Sequence, residues 1–305
     1  SSILKKLMTS PLVSVIINCY NGEIFLQKCI KSVLEQTYTK FEIIFWDNNS
    51  KDKSREILSQ FKDSRIKYFK SDKTYPLGEA RNKAIGVSKG ELIAFLDVDD
   101  WYLPEKLKLQ VDEFKKNERI GLVYTSYYYF DDLKKRKKII IYKISQNNIS
   151  QQLLDDYNIA IITVMIKRDL LKKHNFNKNL NFIEDFDLIL RLSFVTKFKY
   201  IETTTAYYRS HENNLSKKIT NYVEEYKQWK NSFEQKSKFK FDLKKLNSNI
   251  KFLEIKRDII FGKKIAAFKK IISNNFYGNA VKSLKYIFCL FLPTFIIKKK
   301  FGNWL

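Results

Sequence analysis

Apolar runs alternate with amphipathic stretches over the first hundred residues. LVSVIINCY (12–20) is β-rich and apolar on both faces, as expected of a buried parallel strand. NGEIFLQKCIKSVLEQ follows, with Phe25, Leu26, Cys29, Ile30, Val33 and Leu34 on one helical stripe. The same logic predicts strands over 41–46, 66–69 and 92–96, and helices over 54–61 and 79–88. Gly90 ends the second of these helices, and Pro104 opens another that runs to about 117. Strands alternating with helices at this spacing predict a parallel α/β sheet, whose ligands bind beyond the carboxyl ends of the strands. Asn18, Asp47 and the 97–100 segment all fall at such ends.

The pattern then changes. Residues 120–130 and 138–144 read as antiparallel strands joined by DDLKKRKK, 159–167 as a further strand and 184–194 as a helix. Beyond 216 the sequence turns helical, basic and amphipathic, so a domain boundary is drawn there.

Composition changes this picture in two places. The net charge of +24 is unevenly spread: residues 217–305 hold 21 Lys and Arg against 6 Asp and Glu, and are also apolar. Basic plus apolar points to an anionic membrane surface more than to nucleic acid. Cys19, Cys29 and Cys289 contain no CxxC pair, which argues against a disulfide framework or a zinc site and fits a reducing compartment. The start carries Lys5 and Lys6 but no apolar core, so no signal peptide is expected. The longest apolar run, 287–297, is about half the length of a spanning helix and contains Pro293.

Within AFLDVDDWYLP (94–104), Asp97, Asp99 and Asp100 crowd three carboxylates together in a basic chain. At an extended strand end, positions i and i+2 face one way, so Asp97 and Asp99 can share a hard cation such as Mg2+ or Mn2+. A helix cap by Asp100 explains the cluster equally well on pattern alone.

VSVIINCYNGEIFLQKCIKSVLEQTY, FEIIFWDNNSKDKS, ARNKAIGVSKGELIAFLDVDDWYLP and NFIEDFDLILRL resemble, in order, the signatures of family 2 glycosyltransferases over about residues 11–216. The resemblance implies a GT-A fold: a Rossmann-like, mostly parallel sheet flanked by helices, here followed by a basic helical appendage. It further implies an inverting, metal-dependent enzyme using a nucleotide sugar. Residues 1–216 would be the catalytic domain, with the nucleotide-sugar half at about 11–117 and the acceptor half at about 118–216. Residues 217–305 would be the appendage, outside the resemblance.

By that resemblance Tyr20 stacks on the base, and Asn18, Asp47 and Asn48 surround it. Asn48 stands where the family often has a second Asp, and Asn18 where it often has Pro or Thr. An amide both donates and accepts, so UDP is favoured but cytosine is also accommodated. Arg81 would steady the diphosphate, against an ordinary surface Arg. Asp97 would meet ribose or metal-bound water, Asp99 the metal (Mn2+ or Mg2+), and Arg209 and His211 the diphosphate or metal. Asp185 would be the general base, against simple helix-start chemistry for the 184–185 pair. Asp187 and Arg191 read as an i,i+4 surface pair.

In the tail, Phe261, Ile265, Phe268, Ile271 and Ile272 share a helical face with lysines elsewhere. Core packing and a lysine-flanked membrane face are both open readings. The whole predicts a bacterial enzyme peripheral to the inner face of the cytoplasmic membrane, acting on a lipid-linked glycan acceptor, with no nucleic acid. A homo-oligomer formed through the C-terminal helices is the further partner. The rivals are a basic nucleic-acid-binding α/β protein and a non-catalytic nucleotide-binding scaffold.

Overall fold

The computed structural model describes residues 10–215, 218–236, 240–273 and 280–293. Its contacts divide the chain into two compact units, one of residues 1–150 and 158–213, the other of residues 151–157 and 214–305.

The first unit is built on a nine-stranded sheet. β1 (Val13–Cys19), β2 (Phe41–Asp47), β3 (Ile66–Lys70) and β4 (Leu92–Asp97) run parallel in the order β3-β2-β1-β4. β1 and β2 are apolar and buried along almost their whole length, because helices cover both faces of a parallel sheet. α1 (Leu26–Leu34), α2 (Ser54–Ser59) and α3 (Leu77–Val87) make the crossovers. α1 buries Leu26, Cys29, Ile30 and Val33, as its periodicity predicts.

After β4 the sheet continues with β8 (Met165–Lys167), β6 (Ile120–Asp131), β9 (Lys197–Ser210) and β5 (Trp101–Tyr102). β8 is antiparallel to β4 and β6, β9 is parallel to β6, and β7 (Arg136–Ile140) hangs on β6. The remaining helices are α4 (Lys106–Lys116), α5 (Ile149–Asp155, mostly in the second unit), α6 (Arg168–Lys173) and α7 (Glu184–Leu192).

Three expectations need correction. Pro104 does not open α4, which begins at Lys106 with Glu105 at its cap position. Residues 101–103 instead join β9, with the Leu103 N–H donating to the Thr205 carbonyl, so the helix starts late. Only Met165–Lys167 of the 159–167 run is strand, because residues 161–163 form a 3-10 turn. Finally, the chain turns after Asp97, where the Asp100 N–H donates to the Asp97 carbonyl, so Asp97 and Asp99 are not successive positions on one face of a strand.

The second unit contains α8 (Ile219–Lys236), α9 (Lys244–Ile260), α10 (Lys264–Ile272) and α11 (Ala280–Phe291). Phe252, Ile255, Ile259, Ala267, Ile271, Tyr286 and Cys289 form its core. Of the stripe read in the sequence, only Ile271 joins that core, while Phe261, Ile265, Phe268 and Ile272 are exposed. Phe261 lies beyond α9 and before α10, so it is not on the α10 stripe. No helix among the described residues is long and apolar enough to cross a membrane.

Candidate active site

The parallel strands end on one side of the sheet, and their last residues carry the polar groups. The amide nitrogen and oxygen of Asn18, near the end of β1, are buried with no hydrogen-bond partner among the described residues. Buried amides without partners are costly, so these two atoms are suited to bonds with a ligand. Two tight turns shape the loops beside it. Asn21 and Asn49 have φ of 53° and 68°, the left-handed region that Asn tolerates. A Cβ at Gly22 would lie 2.6 Å from Val98, so only glycine lets this loop rest on the 97–100 turn.

Asp47 is buried and fully oriented. Its Oδ1 accepts the Ser50 N–H at 2.7 Å and its Oδ2 the Tyr68 hydroxyl at 2.8 Å. Burial, then that bond to Asp47, pushes the Tyr68 phenol up to about 12. The Asn48 amide is closed on Tyr75, accepting its N–H and donating to its carbonyl. Asn48 therefore shapes the 71–76 loop, with one N–H and one lone pair of its amide committed to Tyr75. Tyr20 is 54% exposed, which leaves its ring open to a partner.

Arg81 departs furthest from expectation. It is neither a surface residue nor free to hold a diphosphate: its side chain is 3% exposed, and Nη2 binds Asp97 Oδ1 at 2.8 Å. Nη1 contacts Glu184 Oε1 on α7. The spacing of α3 puts Arg81 on the buried side with Ala80, Ala84 and Ile85, and the two carboxylates make that burial tolerable. Complete burial pushes Glu184 up to about 8, with Arg81 opposing and Asp185 reinforcing the shift. Glu184 Oε2 has no hydrogen-bond partner among the described residues. The sequence pointed to the 184–185 pair but not to this division, in which Glu184 faces inward.

The three aspartates after β4 separate into different environments. Asp97 is 31% exposed on its side chain and held by Arg81. Asp99 places Oδ2 2.8 Å from His211 Nε2. Asp100 is buried, and its Oδ1 accepts the Arg209 N–H at 2.6 Å. Burial, then the charges of Asp99 and Asp97, raises the Asp100 carboxyl well above the usual range. Asp100 does not cap α4; it fixes the end of β9.

Arg209 and His211 arrive from that end, more than 100 residues later. Arg209 donates Nε–H to the Asp99 carbonyl at 2.9 Å and pairs Nη1 with Asp132 at 3.1 Å. Its guanidinium lies 4.8 Å from the ring centres of both Phe25 and Trp101, and the His211 ring is 4.7 Å from Phe25. Phe25, Trp101 and Asp132 thus hold the two basic residues, a role that no local signal carried, because each reads as core or loop. Asp185 lies in the first turn of α7, where its Oδ1 accepts the Phe186 N–H. Asp187 and Arg191 form the i,i+4 pair at 2.8 Å.

Among the described residues no group of three His, Cys, Asp or Glu side chains is gathered as a metal cage. Asp99 and His211 supply one oxygen and one nitrogen donor side by side, with Asp97 two residues away. That set fits a divalent cation such as Mn2+ or Mg2+ that takes its other ligands from phosphate oxygens and water.

The family model described as glycosyl transferase family 2 matches residues 14–174. The chain is 30% identical over 236 residues to an uncharacterized glycosyltransferase of Methanocaldococcus jannaschii, covering 73% of this chain and 81% of that one. It is 33% identical over 209 residues to WfaP of Escherichia coli, a UDP-Glc:alpha-D-GlcNAc-diphosphoundecaprenol beta-1,3-glucosyltransferase, covering 67% and 80%. Among solved structures, S. aureus TarS in complex with UDP-GlcNAc superposes with a TM-score of 0.60 at 16% identity, covering 79% of this chain and 70% of that one. The mannosyltransferase PcManGT from Pyrobaculum calidifontis, in complex with GDP-Man and Mn2+, gives 0.59 at 14%, covering 98% and 84%. At these identities the structural likeness concerns the fold, which is the GT-A type expected from the sequence.

Proposed function

Because the chain belongs to glycosyl transferase family 2 and is a glycosyltransferase, we propose that it moves a sugar from a UDP-sugar to a hydroxyl of a lipid-linked glycan, with inversion at C1. The observation that carries this reading is the meeting of the 97–100 carboxylates with Arg209 and His211, beside strand ends that carry the unpartnered Asn18 amide.

Asn18, Tyr20 and Asp47 would take the nucleoside. Asp47 offers a carboxylate with both oxygens already oriented, and Asn18 a buried donor and acceptor awaiting partners. Asp99 and His211 would hold the divalent cation, with Asp97 at ribose or a bound water. Such a cation spreads the charge of the departing diphosphate. Arg209 adds fixed positive charge, while Arg81 sets the orientation of Asp97 and hence of the donor side.

Asp185 would act as general base. The acceptor oxygen attacks C1 as its proton passes to the Asp185 carboxylate, the C1–O bond to the diphosphate breaks, and the nucleoside diphosphate leaves. Glu184 is the poorer candidate, since it is fully buried and committed to Arg81.

A membrane-bound acceptor fits the second unit. Ile265, Phe268 and Ile272 on α10, and Leu284, Phe288 and Phe291 on α11, are exposed at helical spacing. Lys263 and Lys269 are exposed beside them. An anionic bilayer is the occupant that matches both the apolar stripe and the cations.

Thermal unfolding against UDP, CDP and GDP sugars with Mn2+, with and without chelator, tests the donor assignment. A ligand bound to the native state alone raises the Tm, by about 3 kcal/mol of stability at a hundred times its Kd. Chelator-sensitive stabilisation by a UDP-sugar is the expected result; stabilisation by none of them contradicts it.

A further inference from the structure

The β6–β9 pair carries aromatic rings on both faces, and the two faces are built differently. In a parallel pair, residues in register project to the same side. Tyr128 pairs with Tyr207, and Tyr207 with Trp101 on β5. Their rings form a continuous stack, 4.6 Å and 4.5 Å between centres, capped by Lys28 3.4 Å over Trp101 and Lys137 4.6 Å over Tyr128. This stack is filled by its own members and supports Arg209.

The other face carries Tyr127 and Tyr129 on β6, with Tyr208 in register with Tyr129. Tyr129 and Tyr208 are stacked at 5.9 Å, and Tyr127 meets Tyr208 edge-on at 6.3 Å. The partner of Tyr127 in register is Ala206, whose single methyl leaves the ring uncovered by a cross-strand side chain. All three tyrosines are half-buried. This face reaches the reaction site at its end: Tyr208 immediately precedes Arg209, whose N–H binds Asp100 Oδ1 at 2.6 Å, and Asp100 and Asp185 both act electrostatically on Tyr127.

We propose that Tyr127, Tyr129 and Tyr208 form the acceptor subsite, a wall on which a pyranose ring stacks while one of its hydroxyls is presented to Asp185. The inference rests on the glycosyl-transfer reading and adds a named binding surface to it. The chemistry selects a saccharide. Tyrosine offers an apolar ring for the C–H face of a sugar and a hydroxyl for its polar rim. Asp185 disfavours an anionic ligand here, and Lys138 stands over the Tyr129 ring at 5.2 Å. A nucleobase belongs elsewhere, since Asn18, Tyr20 and Asp47 lie at the ends of β1 and β2, on the opposite side of β4 in the strand order.

The probe is a water-soluble alkyl diphosphate-linked GlcNAc, assayed as acceptor with UDP-glucose and Mn2+. The same probe is then studied without donor by saturation-transfer NMR. Tyr129→Ala and Tyr208→Ala are expected to raise its KM about threefold to tenfold, with the donor KM changed less than twofold. Tyr129→Phe, which keeps the ring and loses only the hydroxyl, is expected to raise the acceptor KM less than Tyr129→Ala does. In NMR the GlcNAc protons should receive saturation in the wild type and little of it in either alanine variant. Tyr129→Leu and Tyr208→Leu replace any alanine variant that does not fold. An unchanged acceptor KM together with unchanged saturation transfer would overturn the proposal. If wild type transfers no sugar, yet saturates the GlcNAc protons where the variants do not, the subsite stands and the donor assignment fails.

Discussion

On the β1–β4 side of the sheet, charged and polar groups lie within a few residues of a strand end and are fixed by partners from the same β1–β4 stretch of the chain. Asp47 is held by Ser50, and the 97–100 turn closes on itself. On the β6–β9 side, Arg209 and His211 reach the same carboxylates across more than 100 residues and are held by Phe25, Trp101 and Asp132. The first side is assembled by local turns around motifs, the second by long-range pairing. The two are linked by Arg81, which ties Asp97 to Glu184 on α7.

Breaking that link should have the largest effect on stability. Arg81→Met leaves Glu184 buried without its cation, and we expect a loss of about 3 kcal/mol, near the lower end for a broken buried pair. Protonation of Glu184 limits the loss, so chemical denaturation should show a greater deficit at pH 9 than at pH 6. A deficit within about 0.5 kcal/mol of wild type would mean that the two sides are not joined through Arg81.

A smaller effect concerns pH alone. The folded-state pKa of Glu184 is raised to about 8, above the usual value of 4.5. A carboxyl with a raised folded pKa binds more protons folded than unfolded, so its contribution declines as pH rises from about 4.5 to about 8. Glu184→Gln should flatten the stability–pH curve in that window, and an identical curve in variant and wild type would remove Glu184 from the account.

The motifs at the ends of the parallel strands were legible because such strands and their crossovers have short periods, and because strand ends in such sheets gather polar residues. Asn18, Asp47 and the 97–100 cluster could be placed by pattern alone. The roles of Arg81 and Asn48 were not legible: a helix periodicity does not say which carboxylates lie beneath it, and an amide does not announce that a backbone 27 residues away will use it. β5, at two residues, is too short to carry a period and is created by its pairing with β9. The α10 stripe was visible as a stripe, but whether it was core or surface depended on packing, and only Ile271 turned inward.

The smallest expected effect lies in the second unit. Phe268→Glu with Phe288→Glu should reduce sedimentation with vesicles containing anionic lipid, and each lysine beside the face contributes about 1 kcal/mol that salt should weaken. Equal sedimentation of variant and wild type would leave the exposed stripes without a bilayer partner.

The central claim is that the two sides of the sheet meet to transfer a sugar with Asp185 as base. Asp185→Asn tests it most directly, measured as UDP-sugar transfer to the alkyl diphosphate-linked GlcNAc alongside UDP-sugar stabilisation. We predict transfer lower by about a hundredfold to ten-thousandfold with donor stabilisation retained. Transfer at the wild-type rate would contradict the account.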